Sequence, residues 1–276
     1  MDPLELHLTP EIYPQLARDL LSAHCDLPTH DMLACFAHGA VWLETTRKPE
    51  RLYAPETRIR PGHQLHCYCN DSTLTPCPYR PQLIEDFGDF SIWDKPAGML
   101  SQGSKWGDHW TLQQWIRQHL WPERDCLITH RLDRYTRGLM IVAHSEEINR
   151  RFHRLFEQRA IEKTYRAIVH GSMTKGDSQL IAEPIDGRSA ETRLSVIDLD
   201  RQNNRSLLEL QPATGRKHQI RRHLAAIGHS VINDRLYGHP PFSGDLMLQA
   251  CALTFRNPMT QHTVEVSIEV QTLLNV

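Results

Sequence analysis

The feature that most constrains the fold is a succession of short strand-like segments with few helical segments between them. From about residue 83 onward, seven segments have the length and composition of strands, namely DFSIWD, CLITHRLD, LMIVAH, KTYRAIVHG, TRLSVIDLD, RSLLELQP and HTVEVSIEV. Helical periodicity is confined there to TLQQWIRQHL, EEINRRFHRLFEQR and HQIRRHLAAIG. Because strands and helices do not alternate regularly, the sequence predicts an α+β domain built on a mixed or antiparallel β-sheet with flanking helices.

The chain of 276 residues suits one large domain, or a medium domain with a small appendage. Its first part predicts two short helices followed by the strands AVWLETT and HQLHCYC. The segment NDSTLTPCPYRPQ, rich in turn formers and proline, then resembles a linker. We therefore expect a small α/β domain over residues 1–80 and a larger domain over residues 81–276.

Composition limits the compartment and the partners. The seven cysteines are an odd number at irregular spacing, which predicts reduced thiols in a cytoplasmic protein. The sequence contains neither a long apolar span nor a segment typical of a signal peptide, so no membrane association is expected. The formal net charge is −2, yet GRKHQIRRH is locally basic, and such a segment permits a localised site for a polyanion.

One aspartate lies among arginines between two strand-like runs. Asp133 has Arg131, Arg134 and Arg137 within four residues. Nearby positive charge favours the ionised carboxylate, which suits a nucleophile or a base. Arginines are also common ligands of phosphate. The alternative is a surface salt-bridge cluster in a hairpin turn, because perturbed carboxylates are often structural.

Two further segments could contact a nucleic acid. After Thr214 and Gly215, a basic helix is predicted whose N-terminal N–H groups, with Arg216 and Lys217, could receive phosphate. The alternative is an amphipathic surface helix with a solvated basic face. Tyr165 lies on a predicted strand where its ring could stack on a base, but taken in isolation the residue fits a tyrosine of the core better.

Metal and cofactor signatures are weak in this sequence. The segment HQLHCYCNDSTLTPC contains metal-ligand residue types, but it lacks the paired C-x-x-C spacing of a structural zinc site. The sequence has no GxSxG elbow, Walker A loop or dinucleotide-binding glycine pattern, which argues against the common hydrolases, NTPases and dehydrogenases. We expect neither a metal nor a cofactor.

Four segments in the same order resemble the RluA family of pseudouridine synthases. They are DKPAGML, HRLDRYTRGLMIVA, EKTYRAIVHG and TGRKHQIRRHLAAIGHSVINDRLYG. These resemble the family patterns K-P-x-G, H-R-L-D-x-x-T-S-G-L, K-x-Y-x-A-x-V-x-G and T-G-R-x-H-Q-I-R, the last continuing to G-D-x-x-Y-G. The resemblance covers about residues 88–270. Residues 13–70 resemble, more weakly, a small RNA-binding domain shared with a small-subunit ribosomal protein, although HDMLACFAHG has no Lys or Arg.

The resemblance implies an enzyme that isomerises uridine to pseudouridine in large-subunit ribosomal RNA or in transfer RNA. By the same resemblance, Asp133 is the catalytic carboxylate, Arg221 pairs with it and keeps it ionised, and Tyr165 stacks on the uracil and assists proton movement. It also implies a set of substrate-binding residues: Arg131, Arg134, Arg216, Lys217, His218 and Leu248. We expect a monomer without an obligate protein partner.

Three positions depart from the family patterns. Arg137 stands where serine is usual, Asn233 where glycine is usual, and Gln249 where histidine is usual. They motivate an alternative function, a non-catalytic RNA-binding or ribosome-assembly factor on a synthase scaffold. A second alternative is a metal-bound regulator whose ligands are His66, Cys67 and Cys69.

Overall fold

The computed structural model describes residues 2–270, which fall into two compact units. The first unit runs to Tyr79 and includes Gln102–Leu120, and the second comprises Arg80–Ser101 and the described residues from Trp121 onward. The sequence-based division, 1–80 and 81–276, assigned 102–120 to the second unit. This segment belongs to the first because the Asp108 N–H donates to the His38 carbonyl (3.0 Å) and the Thr73 hydroxyl donates to the Trp106 carbonyl (2.9 Å).

The first unit combines short helices with a small antiparallel sheet. Its helices are α1 (Ala17–Ser22), α2 (Thr29–Ala37), α3 (Asp71–Leu74) and α4 (Leu112–His119). Its strands are β1 (Leu4–Leu8), β2 (Gln15–Leu16), β3 (Val41–Glu44), β4 (Glu50–Arg51), β5 (Arg58–Ile59) and β6 (Gln64–Cys69). The main sheet has the order β1-β6-β3-β4, and β2 pairs with β5.

The core of the first unit follows the alternation of β6. Leu65, Cys67 and Cys69 are buried in one apolar cluster together with Leu21 of α1 and Phe36 of α2. Residues at every second position of a strand face the same side of the sheet, so these three side chains share the core face. The two helices are therefore packed against one face of the small sheet.

The second unit is dominated by a large sheet. Its strands are β7 (Gln82–Asp86), β8 (Phe90–Lys95), β9 (Leu127–Ile128), β10 (Arg137–Ala143), β11 (Ile161–His170), β12 (Ser178–Ile181), β13 (Thr192–Asp200), β14 (Arg205–Pro212), β15 (Leu248–Arg256) and β16 (Thr263–Ser267). Its helices are α5 (Glu146–Glu157) and α6 (Gln219–Ala226). The strand order is β12-β13-β14-β11-β15-β10-β8-β7, with β9 paired to β10 and β16 to β15.

This sheet confirms the predicted mixed α+β architecture. Among the strand pairs of the described residues, β10 and β15 run parallel and the others are antiparallel. Helix α5 begins after Ser145, whose hydroxyl accepts the N–H of Ile148 (3.3 Å), and it buries Ile148 and Phe152 against Phe90 and Leu139 of the sheet. The helical stripe read from the sequence is thus the buried face.

The chain segments that carry the sequence motifs lie at the centre of the second unit. Strand β11 lies between β14 and β15, and its register shifts between Thr164 and Tyr165. Helix α6 follows β14 and buries Ile220 and Leu224 in the apolar cluster beneath it. Over residues 2–270, no helix has both the length and the apolar character needed to cross a membrane.

Candidate active site

A cleft of about 1040 Å³ opens in the second unit. Its walls come from the turn before β10, from β11 and from the start of α6. Of the residues proposed from the sequence, eight line this cleft: Arg131, Asp133, Tyr165, Arg216, Lys217, His218, Arg221 and Leu248. Residues from four separate parts of the chain therefore converge on one site.

The turn that carries Asp133 is anchored to the loop after β8. The turn is closed by the Thr136 N–H, which donates to the Asp133 carbonyl (3.1 Å). The Ser101 hydroxyl donates to the Leu132 carbonyl (2.9 Å) and accepts the Leu132 N–H (3.1 Å). The Asp133 side chain keeps 25% of its surface exposed, so its carboxylate is held in place yet accessible from the cleft.

A buried ammonium completes this anchor. Lys95 is inaccessible to solvent, and its Nζ donates to the carbonyls of Pro96 (3.0 Å), Met99 (2.8 Å) and Arg134 (3.3 Å). Burial lowers the pKa of Lys95 to about 7, and the negative charge of Asp133 opposes that shift. The last residue of β8 thereby ties its own loop to the turn of Asp133.

Arg134 differs from the other proposed substrate ligands because it lies outside the residues that line the cleft. Its Nε donates to the Gly98 carbonyl (3.1 Å), and its carbonyl accepts the Gly98 N–H (2.8 Å). Its guanidinium lies 5.6 Å from the ring centroid of Tyr135. In this structure Arg134 helps to hold the turn.

Arg221 approaches Asp133 but is bound more closely to another carboxylate. Its Nη1 lies 4.0 Å from Asp133 Oδ2, whereas its Nε and Nη2 donate to Asp234 at 2.8 and 2.6 Å. Asp234 is fully buried and also accepts the N–H groups of Leu236 (3.0 Å) and Tyr237 (3.1 Å). The family resemblance implied a pair of Arg221 with Asp133, and the structure adds Asp234 as the closer partner of Arg221.

The Arg221–Asp234 pair is a fixed charge pair. Burial would lower the pKa of Arg221, but the hydrogen bonds and charge of Asp234 outweigh burial and raise that pKa. Burial would raise the pKa of Asp234, but the hydrogen bonds from Arg221 and the neighbouring N–H groups lower it. Both side chains are therefore ionised at neutral pH, and the guanidinium faces Asp133 with a permanent positive charge.

His218 is the second group that faces Asp133. It precedes α6 in the left-handed conformation (φ 55°), which is uncommon for a residue other than glycine. Its Nε2 lies 3.8 Å from Asp133 Oδ1, and its Nδ1 lies 2.9 Å from the hydroxyl of Tyr237. Burial lowers the pKa of His218 and the charge of Asp133 opposes this, so the net shift favours the neutral imidazole.

Tyr165 and Leu248 form the apolar part of the lining. Tyr165 is partly buried on β11, and both burial and the charge of Asp133 raise its pKa, so the phenol stays protonated at neutral pH. Leu248, the first residue of β15, is 3% exposed. An aromatic ring and an aliphatic side chain beside a carboxylate suit a planar base with polar edges.

The three departures from the family patterns have local explanations. Asn233 adopts φ 63°, a conformation that glycine favours and that asparagine tolerates best among the other residues. Its side chain donates to the Asp245 carbonyl (3.0 Å) and accepts the Ser243 N–H (3.0 Å). Arg137 and Gln249 are register partners on β10 and β15, and their side chains are hydrogen-bonded (3.3 Å). The last two departures thus contact each other.

Several residues of the site escaped the sequence analysis. Arg159, Lys163 and Arg193 line the cleft, where Arg and Lys together outnumber Asp and Glu, as expected for a site that receives an anionic ligand. Asp234 and Tyr237 were also missed. They are the aspartate and tyrosine of NDRLYG, and the match of that segment to the pattern G-D-x-x-Y-G was a usable signal.

The alternative metal site on His66, Cys67 and Cys69 is not formed. Cys67 and Cys69 face the core of the first unit, whereas His66 contacts His7 (2.6 Å between the two Nδ1 atoms) and Glu44 (3.0 Å). Within residues 2–270, no three His, Cys, Asp or Glu side chains converge as ligands of one ion.

The chain is similar to proteins of one enzyme family. The family model described as RNA pseudouridylate synthase matches residues 89–226. The chain is 32% identical to tRNA pseudouridine synthase C of Vibrio cholerae, over 61% of this chain and 82% of the relative. It is 31% identical to the dual-specificity RNA pseudouridine synthase RluA of Escherichia coli, over 66% of this chain and 90% of the relative.

A longer match and a solved structure agree with these relatives. An uncharacterized RNA pseudouridine synthase of Aquifex aeolicus is 28% identical over 81% of this chain and 77% of the relative. The structure of human RNA Pseudouridylate Synthase Domain Containing 1 has a TM-score of 0.57 and 26% identity, and the match covers 69% of this chain and 83% of that one. The chain therefore belongs to the RNA pseudouridylate synthases, isomerases that act on RNA, and within them to the RluA family.

Proposed function

We propose that this protein converts uridine to pseudouridine in a structured RNA and that Asp133 is the catalytic carboxylate. The observation that carries the proposal is the position of Asp133. Its carboxylate is accessible on the wall of the cleft and lies 4.0 Å from the guanidinium of Arg221, whose charge is fixed by buried Asp234. A permanent cation at this distance can orient the carboxylate, as a nucleophile or base requires.

The proposed reaction is an isomerisation that balances without a further reactant. The N1–C1′ bond of uridine breaks, the uracil turns, and a C5–C1′ bond forms. A proton leaves C5 and N1 gains one, so neither oxidant nor reductant is consumed. We propose that the protein needs no metal and no cofactor, and that a neutral phenol at Tyr165 takes part in the proton movement while its ring stacks on the uracil.

The cations of the cleft are proposed to bind the RNA around the target nucleotide. We assign Arg131, Arg216, Lys217 and His218 to substrate binding, and Leu248 to the pocket of the base. All five line the same cleft as Asp133. A base must leave its stack to reach a catalytic group, at a cost of about a few kcal/mol, and phosphate contacts can offset that cost. Arg134 does not line the cleft, so we propose that it supports substrate binding indirectly, by holding the turn that carries Arg131 and Asp133.

The class of RNA follows from the relatives. One is named for transfer RNA and another for dual specificity, so we propose transfer RNA or large-subunit ribosomal RNA as the substrate. We also propose a cytoplasmic location, because all seven cysteines are unpaired, as in a reducing compartment. We propose a monomer as the default oligomeric state. The RNA-binding role of the first unit stays a prediction, testable by the RNA affinity of the full chain after changes on α2.

The test is a map of pseudouridine in total RNA from a strain that lacks the gene. We expect one uridine, or a few, in transfer RNA or large-subunit ribosomal RNA to lose the modification. A gene copy of the wild type should restore it, and a copy carrying Asp133→Asn should not. Unchanged maps in the deletion strain, or restoration by the Asp133→Asn copy, would contradict the proposal.

A further inference from the structure

The two groups that face Asp133 are both held by one short segment. Arg221 is bound by Asp234, and His218 is bound by Tyr237, three residues further along the chain. The segment is itself ordered, because Asp234 accepts the N–H groups of Leu236 and Tyr237. Asp234 thus acts on Asp133 through Arg221, and Tyr237 acts on Asp133 through His218.

The contacts of His218 on its two ring nitrogens favour one tautomer. In a neutral imidazole one ring nitrogen carries the proton and the other accepts. His218 Nε2 points toward the Asp133 carboxylate at 3.8 Å, and an ionised carboxylate only accepts hydrogen bonds. The tautomer with the proton on Nε2 is therefore the favourable one. It leaves a lone pair on Nδ1, which the Tyr237 hydroxyl can satisfy as a donor at 2.9 Å.

We propose that Tyr237 is a positioning residue for the reaction: its hydroxyl holds His218 in the tautomer and orientation that present Nε2–H to Asp133. The inference rests on the proposed function of Asp133. The His218–Asp133 distance is longer than a hydrogen bond, as is common for catalytic contacts in a site without substrate. Asp133 would then be oriented by Arg221 on one oxygen and by His218 on the other.

A second contact of Tyr237 decides which variant to use. The guanidinium of Arg221 lies 5.2 Å from the Tyr237 ring centroid, so removal of the whole ring would disturb Arg221 as well as His218. Tyr237→Phe keeps the ring and removes the hydroxyl alone. The matched control is Tyr135→Phe, two residues from Asp133, because the Tyr135 hydroxyl has no hydrogen bond among those seen over residues 2–270.

The measurement is the single-turnover rate of pseudouridine formation at saturating RNA, with RNA affinity and melting temperature measured alongside. We expect Tyr237→Phe to lower the rate roughly three- to tenfold, which matches the loss of one hydrogen bond, and to change RNA affinity less than the rate. The same lost hydrogen bond should lower the melting temperature by a few degrees at most. Tyr135→Phe should match the wild type. A Tyr237→Phe rate equal to that of the wild type, or an equal loss in rate and RNA affinity, would overturn the inference.

Substitutions of His218 supply a second, independent test. The change His218→Gln places an amide near the position of Nε2, whereas His218→Asn places the amide near the position of Nδ1. We therefore expect His218→Gln to retain more of the rate than His218→Asn, and Tyr237→Phe to cause no further loss in the His218→Gln background. The reverse ranking, or additive losses in the double variant, would overturn the inference. A wild type that forms no pseudouridine would instead overturn the proposed function.

Discussion

Two buried basic side chains lie near Asp133 on different elements, and they are held in opposite ways. Lys95, at the end of β8, is bound by three carbonyl groups, and burial lowers its pKa to about 7. Arg221, on α6, is bound by the Asp234 carboxylate, and this raises its pKa despite burial.

Lys95 and Arg221 therefore act on Asp133 in two different ways, one on its position and the other on its electrostatic surroundings. Lys95 donates to main-chain atoms of the loop and the turn, so it fixes where Asp133 stands. Arg221 is paired with the Asp234 carboxylate and lies 4.0 Å from the Asp133 side chain. It therefore sets the electrostatic potential at the Asp133 carboxylate. Position depends on main-chain anchoring, and charge depends on a buried ion pair. The two tasks can therefore be disturbed one at a time.

The largest effect is expected from Arg221→Ala. This change removes the cation beside Asp133 and leaves Asp234 buried without its partner. We expect the free energy of unfolding to fall by about 3–5 kcal/mol and turnover to fall more than RNA affinity. Chemical denaturation, single-turnover kinetics and RNA titration measure the three quantities. Equal losses in turnover and RNA affinity would make Arg221 only a phosphate ligand.

A paired change separates the charge of Arg221 from its contribution to stability. Arg221→Met with Asp234→Leu removes both buried charges, and such replacements are often neutral for stability. We expect the double variant to recover most of the stability lost in Arg221→Ala and to keep the reduced turnover of that variant. If it formed pseudouridine at the wild-type rate, the claim that the charge of Arg221 is needed for turnover would be wrong.

Lys95→Met should have a smaller effect than Arg221→Ala, and the effect should fall on stability more than on turnover. It removes three hydrogen bonds to carbonyls of the loop and turn, so we expect the free energy of unfolding to fall by about 1–3 kcal/mol. Turnover should fall less than in Arg221→Ala, and RNA affinity should be unchanged, because Lys95 does not line the cleft. Wild-type stability in this variant would show that the turn needs no such anchor.

The pH dependence of stability sharpens the same contrast. The folded-state pKa of Lys95, about 7, lies below its ordinary value of 10.5. Between these values the unfolded chain holds a proton that the folded chain has released, so this group makes the free energy of unfolding rise with pH. The difference between wild type and Lys95→Met should therefore grow in favour of the wild type from about pH 7 to 10.5. Denaturation curves across this window should show no such growth if Lys95 stays fully charged when folded.

The smallest effect concerns Arg137 and Gln249, which join β10 to β15 near the Asp133 turn. In a double-mutant cycle with Arg137→Ser and Gln249→His, we expect a coupling energy of about 0.5 kcal/mol or slightly more. Denaturant midpoints of the four proteins give this value. Strict additivity would mean that the two departures from the family patterns are independent.

The sequence predicted the sheet of the second unit well because apolar periodicity decides it. The stripe of Ile148 and Phe152 and the alternation of Val264 and Val266 are buried as expected. Strand β12 was missed because three of its four positions are exposed and leave little apolar signal. Strand β1 was missed although Leu4, Leu6 and Leu8 alternate and pack against the core, so its period of two was a usable signal. The grouping of 102–120 with the first unit was missed too, since hydrogen bonds between distant segments leave no local pattern.

Site residues that belong to a sequence motif were predictable. Contacts between residues that only the tertiary fold brings together were not predictable. Asp133, Tyr165 and Arg221 were assigned from motifs, and the structure brings them to one cleft. The pairing of Arg221 with Asp234 depends on the fold of the segment after α6, which a sequence pattern does not reveal. Lys95 lies within one of the family motifs, but its burial and its three carbonyl partners are visible only in three dimensions.

The central claim is tested most directly by comparing wild type and Asp133→Asn on RNA labelled with tritium at C5 of uracil. Tritium release reports the loss of the C5 hydrogen, and RNA titration reports binding. We predict that Asp133→Asn binds RNA with wild-type affinity and releases no tritium under single-turnover conditions. Release at the wild-type rate would contradict the account, because the carboxylate could then not be the catalytic group.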